Sequence, residues 1–315
     1  MSRVPGGGES HGGAITGMGP GARAFQWPFP PAEDRPPAKE RPPAPARGRF
    51  SPPPRIADKM RRMTSFLVHL IRPDIAIHVT RAMPALPDAL EARIDALWEA
   101  AAARVEAGGA GRLFNGQVFS IDTLTPERIT GHLTEYRRLI AQSEDHTLFT
   151  ALGVRSLAVC GVLTCRDGVA IGRRPRAAVY QPGMWQLCPA GSVDAGARRA
   201  DGTMDHRGQL LTEIREELGL DAEAVGPMTP LCIVEHPGSH VCDLGMAVST
   251  PLSAAAVLEA HRTRGNGEYD PLRVVPIPAL PAFLARVHAD LVPPAPVFLA
   301  HAGLLPWGGA ASGGG

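Results

Sequence analysis

The sequence predicts an α/β fold in which a mixed sheet is held between helices, and three observations predict it. Short apolar runs rich in Val, Ile and Leu recur at 65–71, 75–79, 156–164 and 169–172, with turn residues between them, which is the pattern of strands. A long helical stripe over 88–107 separates the first two runs from the others. A carboxylate-rich helix at 212–220 follows a short strand and a glycine-bearing loop. Strand pairs interleaved with helices bury their apolar faces most simply by packing helices on both sides of one sheet.

The first 62 of the 315 residues read differently. They hold 13 of the 32 prolines, many glycines and almost no aliphatic periodicity, so they cannot bury enough surface to offset the entropy of ordering. A disordered Pro/Gly-rich segment is expected over 1–62. It lacks the apolar core of a signal peptide, and its Pro-Pro pairs at 36, 42 and 52 oppose the amphipathic helix of a transit peptide. The remaining boundaries fall at 63–150 for an accessory N-terminal module, 151–305 for the main domain and 306–315 for a flexible tail.

Charge is divided the same way. Residues 1–62 carry 11 Lys and Arg against 5 Asp and Glu, or +6, and the rest carries 21 against 26, or −5. A mildly acidic folded part argues against duplex nucleic acid as a partner, because such binding depends on basic clusters that neutralise phosphates. No run of 18 apolar residues occurs, so no membrane span is expected. The five cysteines, Cys160, Cys165, Cys188, Cys232 and Cys242, form no CxxC pair and read as reduced thiols of a cytoplasmic protein. Glu235 to Asp243, with His236, His240 and Cys242, reads as a polar loop leading into a strand rather than a soft-metal site.

Within the accessory module, 65–71 and 75–79 are expected strands. Asp88 with Glu91 three residues later marks a helix start, Leu90, Ile94, Leu97, Trp98, Ala101 and Val105 form its apolar stripe, and Gly108-Gly109 ends it. Leu113 to Ile121 is an expected strand that Asn115-Gly116 could bend into a hairpin. Residues 125–142 fit helix and strand equally. In the main domain, 156–164 and 169–172 form a hairpin around Arg166-Asp167-Gly168. Strands at 231–234, 244–248 and 272–275 and a helix at 254–263 complete the expected order.

The acidic helix carries the chemistry. Glu213, Glu216 and Glu217 stand at i, i+3 and i+4 and project from one face, where like charges four apart disfavour a helix by roughly 0.2 to 0.5 kcal/mol. A hard cation would reverse that penalty, since Mg²⁺ takes oxygen ligands and is held by one or two carboxylates plus substrate phosphates. Ahead of the helix, Trp185 to Cys188 reads as a strand ending at Pro189, with a loop through Gly191 and Gly196 after it.

Together these residues resemble the Nudix box. Glu213, Ile214, Glu216, Glu217, Gly219 and Leu220 fit its helical half, and Pro189, Gly191 and Gly196 fit its lead-in loop. Four positions depart from the pattern. Ala190 replaces a Gly, Ala197 stands where the family has Glu, Thr212 replaces the Arg, and the interval between 197 and 212 is seven residues longer. Phe114-Asn115-Gly116 and Glu135-Tyr136-Arg137 are loosely similar to the UDP-glucose pyrophosphatase branch of that superfamily.

The resemblance implies an α/β/α sandwich and a pyrophosphohydrolase. It implies that Glu213, Glu216 and Glu217 bind catalytic Mg²⁺ (or Mn²⁺) and activate water, with Glu268 as a further metal ligand. Arg173, Arg174 and Gly191 would meet the diphosphate of a nucleoside diphosphate sugar, most simply a UDP-glucose-like one, with ADP-ribose, another nucleoside diphosphate or coenzyme A as alternatives. The residues themselves leave two readings open at Arg173 and Arg174, phosphate contact or a solvated strand end, and two at Glu268, a fourth acid or a loop carboxylate in solvent. A non-catalytic Nudix-fold binding or regulatory protein, and an unrelated α/β protein with a structural acidic helix, are the readings from other classes.

Overall fold

The computed structural model describes residues 66–108, 112–176, 178 and 180–306. The expected disordered segment 1–62 lies outside the described residues, as does all of the expected 306–315 tail except Pro306. The rest is a mixed α/β fold with two sheets, both containing parallel and antiparallel pairs.

The larger sheet runs in the order β1 (Leu67–Leu70), β9 (Thr229–Glu235), β10 (Cys242–Ser249), β5 (Leu157–Cys165), β6 (Gly168–Arg173) and β11 (Leu272–Val275). Two short strands attach to it: β7 (Trp185–Leu187) pairs with β6, and β8 (Ala190–Ser192) pairs with β5. Of its pairs, only β10 and β5 run parallel, from Cys242 opposite Leu157 to Ser249 opposite Thr164. The smaller sheet is β2 (Ala76–Val79), β4 (Arg128–Glu135) and β3 (Gln117–Leu124), with β2 parallel to β4. Because β1 lies at the edge of the larger sheet, the chain enters that sheet before it builds the smaller one.

Helices cover both faces of the larger sheet. On one face α4 (His206–Leu218) and α5 (Ala254–Arg264) pack Leu210, Ile214, Leu218 and Val257 against Leu157, Val159 and Leu163 of β5. On the other, α6 (Leu280–Val287) and α7 (Ala295–His301) pack Phe283, Leu284 and Phe298 against Cys160, Val162 and the flanking strands. The alternation along β5 is the period-2 pattern of a strand buried on both faces. A third core joins α1 (Asp88–Ala107), α2 (Tyr136–Glu144) and α3 (Phe149–Leu152) through Ile94, Ala101, Leu139, Ile140 and Leu152. Phe119, Ile121, Ile129 and Leu133 of the smaller sheet share one core with α4, so the two sheets are not separate bodies.

Several expectations change at the level of single residues. Asp88 is the first helical residue of α1, and the cap position is Pro87 with no side-chain hydrogen bond; a proline there presets the φ that helix entry requires. The strand expected over 113–121 begins only at Gln117, and no hairpin forms at Asn115-Gly116. Asn115 instead accepts from the amide of Arg137 at 2.9 Å and donates to Glu135 at 3.3 Å, tying the segment to β4 and α2. The undecided stretch 125–142 is both things in turn, with the strand β4 giving way to the helix α2 at Glu135. The segment after Pro189, expected as loop, forms the strand β8, with Ala158 opposite Ser192 and Cys160 opposite Ala190. The helices α6 and α7 have no counterpart in the sequence reading.

Candidate functional site

The site grows from α4. Asp205 caps its first turn by accepting from the Gly208 amide at 2.9 Å, and Gly219 ends it with φ +65°. That left-handed conformation favours glycine, and a Cβ there would lie 2.6 Å from the Ala260 carbonyl oxygen. Leu210, Ile214 and Leu218 point into the core. One step around the helix, at the same spacing of four, run Gln209, Glu213 and Glu217, so the packing that buries the leucines draws two carboxylates inward with them.

Both carboxylates are consequently buried. Glu217 has no exposed surface; its Oε2 accepts from the Ala190 amide at 3.0 Å and from the Tyr269 hydroxyl at 3.1 Å. Its Oε1 has no hydrogen-bond partner. Glu213 accepts from Gln209 Nε2 at 2.7 Å. Burial pushes the Glu213 carboxyl up to about 8, and Glu216, Asp194 and Glu268 add to the shift by like-charge repulsion while the Gln209 bond opposes it. Burial also raises Glu217 well above the usual carboxylate range, with Glu213 and Glu268 as repelling neighbours. Glu216, the third predicted acid, is half-buried and also raised. The three glutamates thus share a face as expected, but two of them sit inside the protein rather than on a solvated surface.

The glycine of the lead-in loop makes room for them. A Cβ on Gly191 would fall 2.0 Å from Glu213 Oε1. Gly191 therefore serves the carboxylate directly, whatever else it contacts.

Glu268 is fully buried, which removes the reading of a solvated loop carboxylate. Its partner is Arg174, with Nη1 3.1 Å from Oε1. The contact is an ion pair whose angles do not make a hydrogen bond, since both Glu268 oxygens lack a hydrogen-bond partner. Arg174 is itself buried and also donates to the Tyr180 carbonyl at 3.0 Å and to Gln186 Oε1 at 2.7 Å. It is neither a solvated strand end nor a surface cation. Arg173 separates from it, because successive strand residues face opposite ways. It is partly exposed, donates to the Gly183 carbonyl at 2.9 Å and lies 3.6 Å from Asp290.

Two side chains missed in the sequence reading belong here. Asp194 follows β8, accepts from the Gly196 amide at 2.7 Å, and is close enough to Glu213 and Glu216 to raise both. It stands three residues before Ala197, the position at which the resembled pattern has an acid. Tyr269, beside Glu268, is the hydroxyl donor to Glu217. Asp194, Glu213 and Glu216 open onto a cavity of about 530 Å³, whose lining also includes Phe114, ahead of β3, and Gln117, the first residue of β3.

The donor set of α4 and Asp194 suits a hard cation: carboxylate oxygens only, with Glu217 Oε1 buried and unsatisfied. Among the described residues, no three His, Cys, Asp or Glu side chains are drawn together closely enough to enclose an ion. An ion here would take one or two of these carboxylates and fill its remaining positions with water or phosphate oxygens, which is the usual manner of Mg²⁺. The expectation at Glu235 to Asp243 holds in part. Glu235 ends β9 and accepts from Arg155 at 2.7 Å, His69 at 3.2 Å and His240 at 3.2 Å, and His236 pairs with Asp243 at 2.9 Å. All five cysteines are unpaired. No helix among the described residues is long and apolar enough to cross a membrane.

No protein-family profile matches the chain, and no curated protein does. Among solved structures, the chain is similar to the crystal structure of DR0079 from Deinococcus radiodurans, at 16% identity over 44% of this chain and 75% of that one, with a TM-score of 0.32.

Proposed function

We propose that the chain is a Nudix-type pyrophosphohydrolase, which hydrolyses a nucleoside diphosphate linked to a second moiety in a Mg²⁺- or Mn²⁺-dependent reaction. A nucleoside diphosphate sugar of the UDP-glucose type is the first candidate substrate, and ADP-ribose or another nucleoside diphosphate is the next. One observation carries the reading: on α4 Glu213 is buried in the wall of an open cavity and Glu217 is buried one turn further on, the charged forms of both are disfavoured, and one oxygen of Glu217 is unsatisfied. Proteins do not ordinarily leave such groups uncompensated.

The residues divide the work as follows. Glu216 and Glu217, with Glu213 beside them, would hold the cation, whose contribution when bound is to neutralise the diphosphate oxygens that repel a nucleophile. Glu213, with a carboxyl held near neutrality, is the base that takes a proton from water as the water oxygen bonds to phosphorus and the bridging P–O bond breaks. Gln209 fixes the orientation of that carboxylate. Tyr269 and the Ala190 amide do the same for Glu217. Glu268 supports the site through its charge and through Arg174. Arg174, already committed to Glu268, Gln186 and Tyr180, is assigned to positioning and not to the diphosphate.

Turnover of UDP-glucose, ADP-ribose and coenzyme A with and without Mg²⁺ tests the proposal, with the released nucleotide identified. Glu217→Gln is expected to reduce turnover by at least about 10²-fold with the fold intact, because weakening the hold on a cation forfeits several kcal/mol of charge stabilisation. Full activity in that variant overturns the assignment. A non-catalytic binding protein is the second reading, favoured by the absence among the described residues of three acids gathered around one point. It predicts diphosphate binding without metal-dependent turnover.

A further inference from the structure

We propose that a second cavity, on the opposite face of β5 from α4, is a binding pocket for a nitrogen heterocycle that presents an N–H donor to the Tyr180 hydroxyl oxygen. The choice of a nucleobase as that heterocycle rests on the hydrolase reading above. The cavity itself does not.

The pocket exists because the sheet is built of small residues at one spot. Asp243 of β10 lies opposite Ala158 of β5, which lies opposite Ser192 of β8. Flanking this row, Ser156 and Ala190 are small as well. Large side chains would project further from the sheet and close the space, as Leu157 and Val159 do on the other face. The space left is about 100 Å³, roofed by Leu139 and Ile140 of α2 and walled by Phe298 of α7. The accessory region is therefore part of this pocket.

Its polar groups form an ordered chain. His236 Nε2 lies 2.9 Å from Asp243 Oδ2, and a carboxylate only accepts, so Nε2 carries a proton and donates. In the neutral ring Nδ1 then accepts, and the group it faces at 3.3 Å is the Tyr180 hydroxyl. With its proton given to His236, the Tyr180 oxygen is an acceptor, and Ser239 Oγ at 3.4 Å takes at most one of its two lone pairs, so the other is left on a residue that lines the cavity. Phe66 and Tyr180 hold the His236 ring in edge contacts, with centroids 5.1 and 6.1 Å away. A fixed acceptor on a mostly apolar wall is the arrangement that selects a planar ligand by one hydrogen bond.

The pocket also reaches the acid cluster. Arg174 lines it and pairs with Glu268, and Ser192 borders both cavities. A ligand could place its ring here and its phosphates on the other side of β8.

The test uses nucleosides without phosphate and metal-free protein, so that binding does not depend on the carboxylate site. Uridine, guanosine, adenosine and cytidine are titrated by calorimetry, each alongside the analogue methylated on its N–H edge. At least one unmodified nucleoside should bind more tightly than its methylated analogue. Tyr180→Phe should weaken that nucleoside by roughly 2- to 12-fold, the worth of one hydrogen bond, and erase the preference over the analogue. Ala158→Leu should lower affinity more than tenfold, with a melting curve to confirm folding. Glu217→Gln should bind as the wild type does. No nucleoside binding, or binding indifferent to both Tyr180→Phe and Ala158→Leu, overturns the pocket. Nucleoside binding without diphosphate turnover instead removes the hydrolase reading and leaves the pocket standing.

Discussion

Replacing Glu213 by Gln should stabilise the metal-free protein at alkaline pH, although it deletes a residue of the proposed active site. The Glu213 carboxyl is raised in the folded protein to about 8 from an ordinary 4.5. Between those values the folded state holds a proton that the unfolded state has released. The stability this group contributes is therefore complete below pH 4.5 and is lost as pH rises from there through 8. At pH 8 the folded protein must bear the ionisation penalty of this one group, on the order of 4 kcal/mol, since each tenfold change in proton affinity is worth about 1.36 kcal/mol. The amide in Glu213→Gln keeps the shape and cannot ionise, and it also relieves the repulsion on Glu217. Urea unfolding with chelator present, at pH 5.5 and pH 8, measures the difference. Wild type should lose several kcal/mol between the two values and Glu213→Gln much less. The gap at pH 8 corresponds to roughly 10 °C in melting temperature for a domain of this size. Millimolar Mg²⁺ should restore stability at pH 8 to the wild type and little to the variant, because a ligand stabilises only the state that binds it. Parallel pH curves for the two proteins would refute the burial argument, and a Mg²⁺ effect of equal size in both would refute the metal assignment.

Gly191→Ala should displace the Glu213 carboxylate, which a Cβ would approach to 2.0 Å; diphosphate turnover should fall at least tenfold, and wild-type turnover would show that the contact is relieved at no cost. Arg174→Met leaves Glu268 buried without its cation, and removing one member of such a pair costs about 3 kcal/mol. Urea unfolding at pH 7 checks this, and an unchanged midpoint would mean that Glu268 does not depend on the pair. His206 acts at the acid end: burial lowers it from 6.5 to about 4, so the unfolded state takes up its proton first and stability drops as pH falls from 6.5 to 4. That drop is roughly 3 kcal/mol, and His206→Phe should remove it from the unfolding curves at pH 7 and pH 4.

Much of the fold was legible because its strands are apolar runs of ordinary length. Positions 254–264 and 272–275 emerged almost to the residue, since Ser253 caps α5 and the β-branched pair Val274-Val275 marks the strand. What escaped was decided by tertiary contact. Ala190 to Ser192 has the composition of a loop, and pairing with β5 makes it a strand. Residues 125–142 looked ambiguous because a strand and a helix meet there without a turn signal. In the site, spacing on a helix placed Glu213, Glu216 and Glu217 on one face, but spacing cannot state depth. Whether Glu268 lay in solvent, and whether Arg174 was free for phosphate, depended on each finding the other from segments 94 residues apart.

The alternation of size along β5 links the two sites. Leu157, Val159 and Leu163 fill the face that receives α4, and that packing carries Glu213 and Glu217 into the interior with the helix. Ser156, Ala158 and Cys160 face the other way and leave a cavity. A substitution that enlarged the second set would close the pocket and leave the helix seated. One that reduced the first set would unseat the helix and free both glutamates to solvent, lowering their carboxyls toward the ordinary range. Val159→Ala, with a loss of about 2 kcal/mol expected from the methyl groups removed from a filled core, should accordingly flatten the pH dependence of stability between 5.5 and 8. Ala158→Leu should leave that pH dependence as it is. The opposite pairing of results would place the acid cluster's burial under the control of the cavity face, against the layering of the sheet.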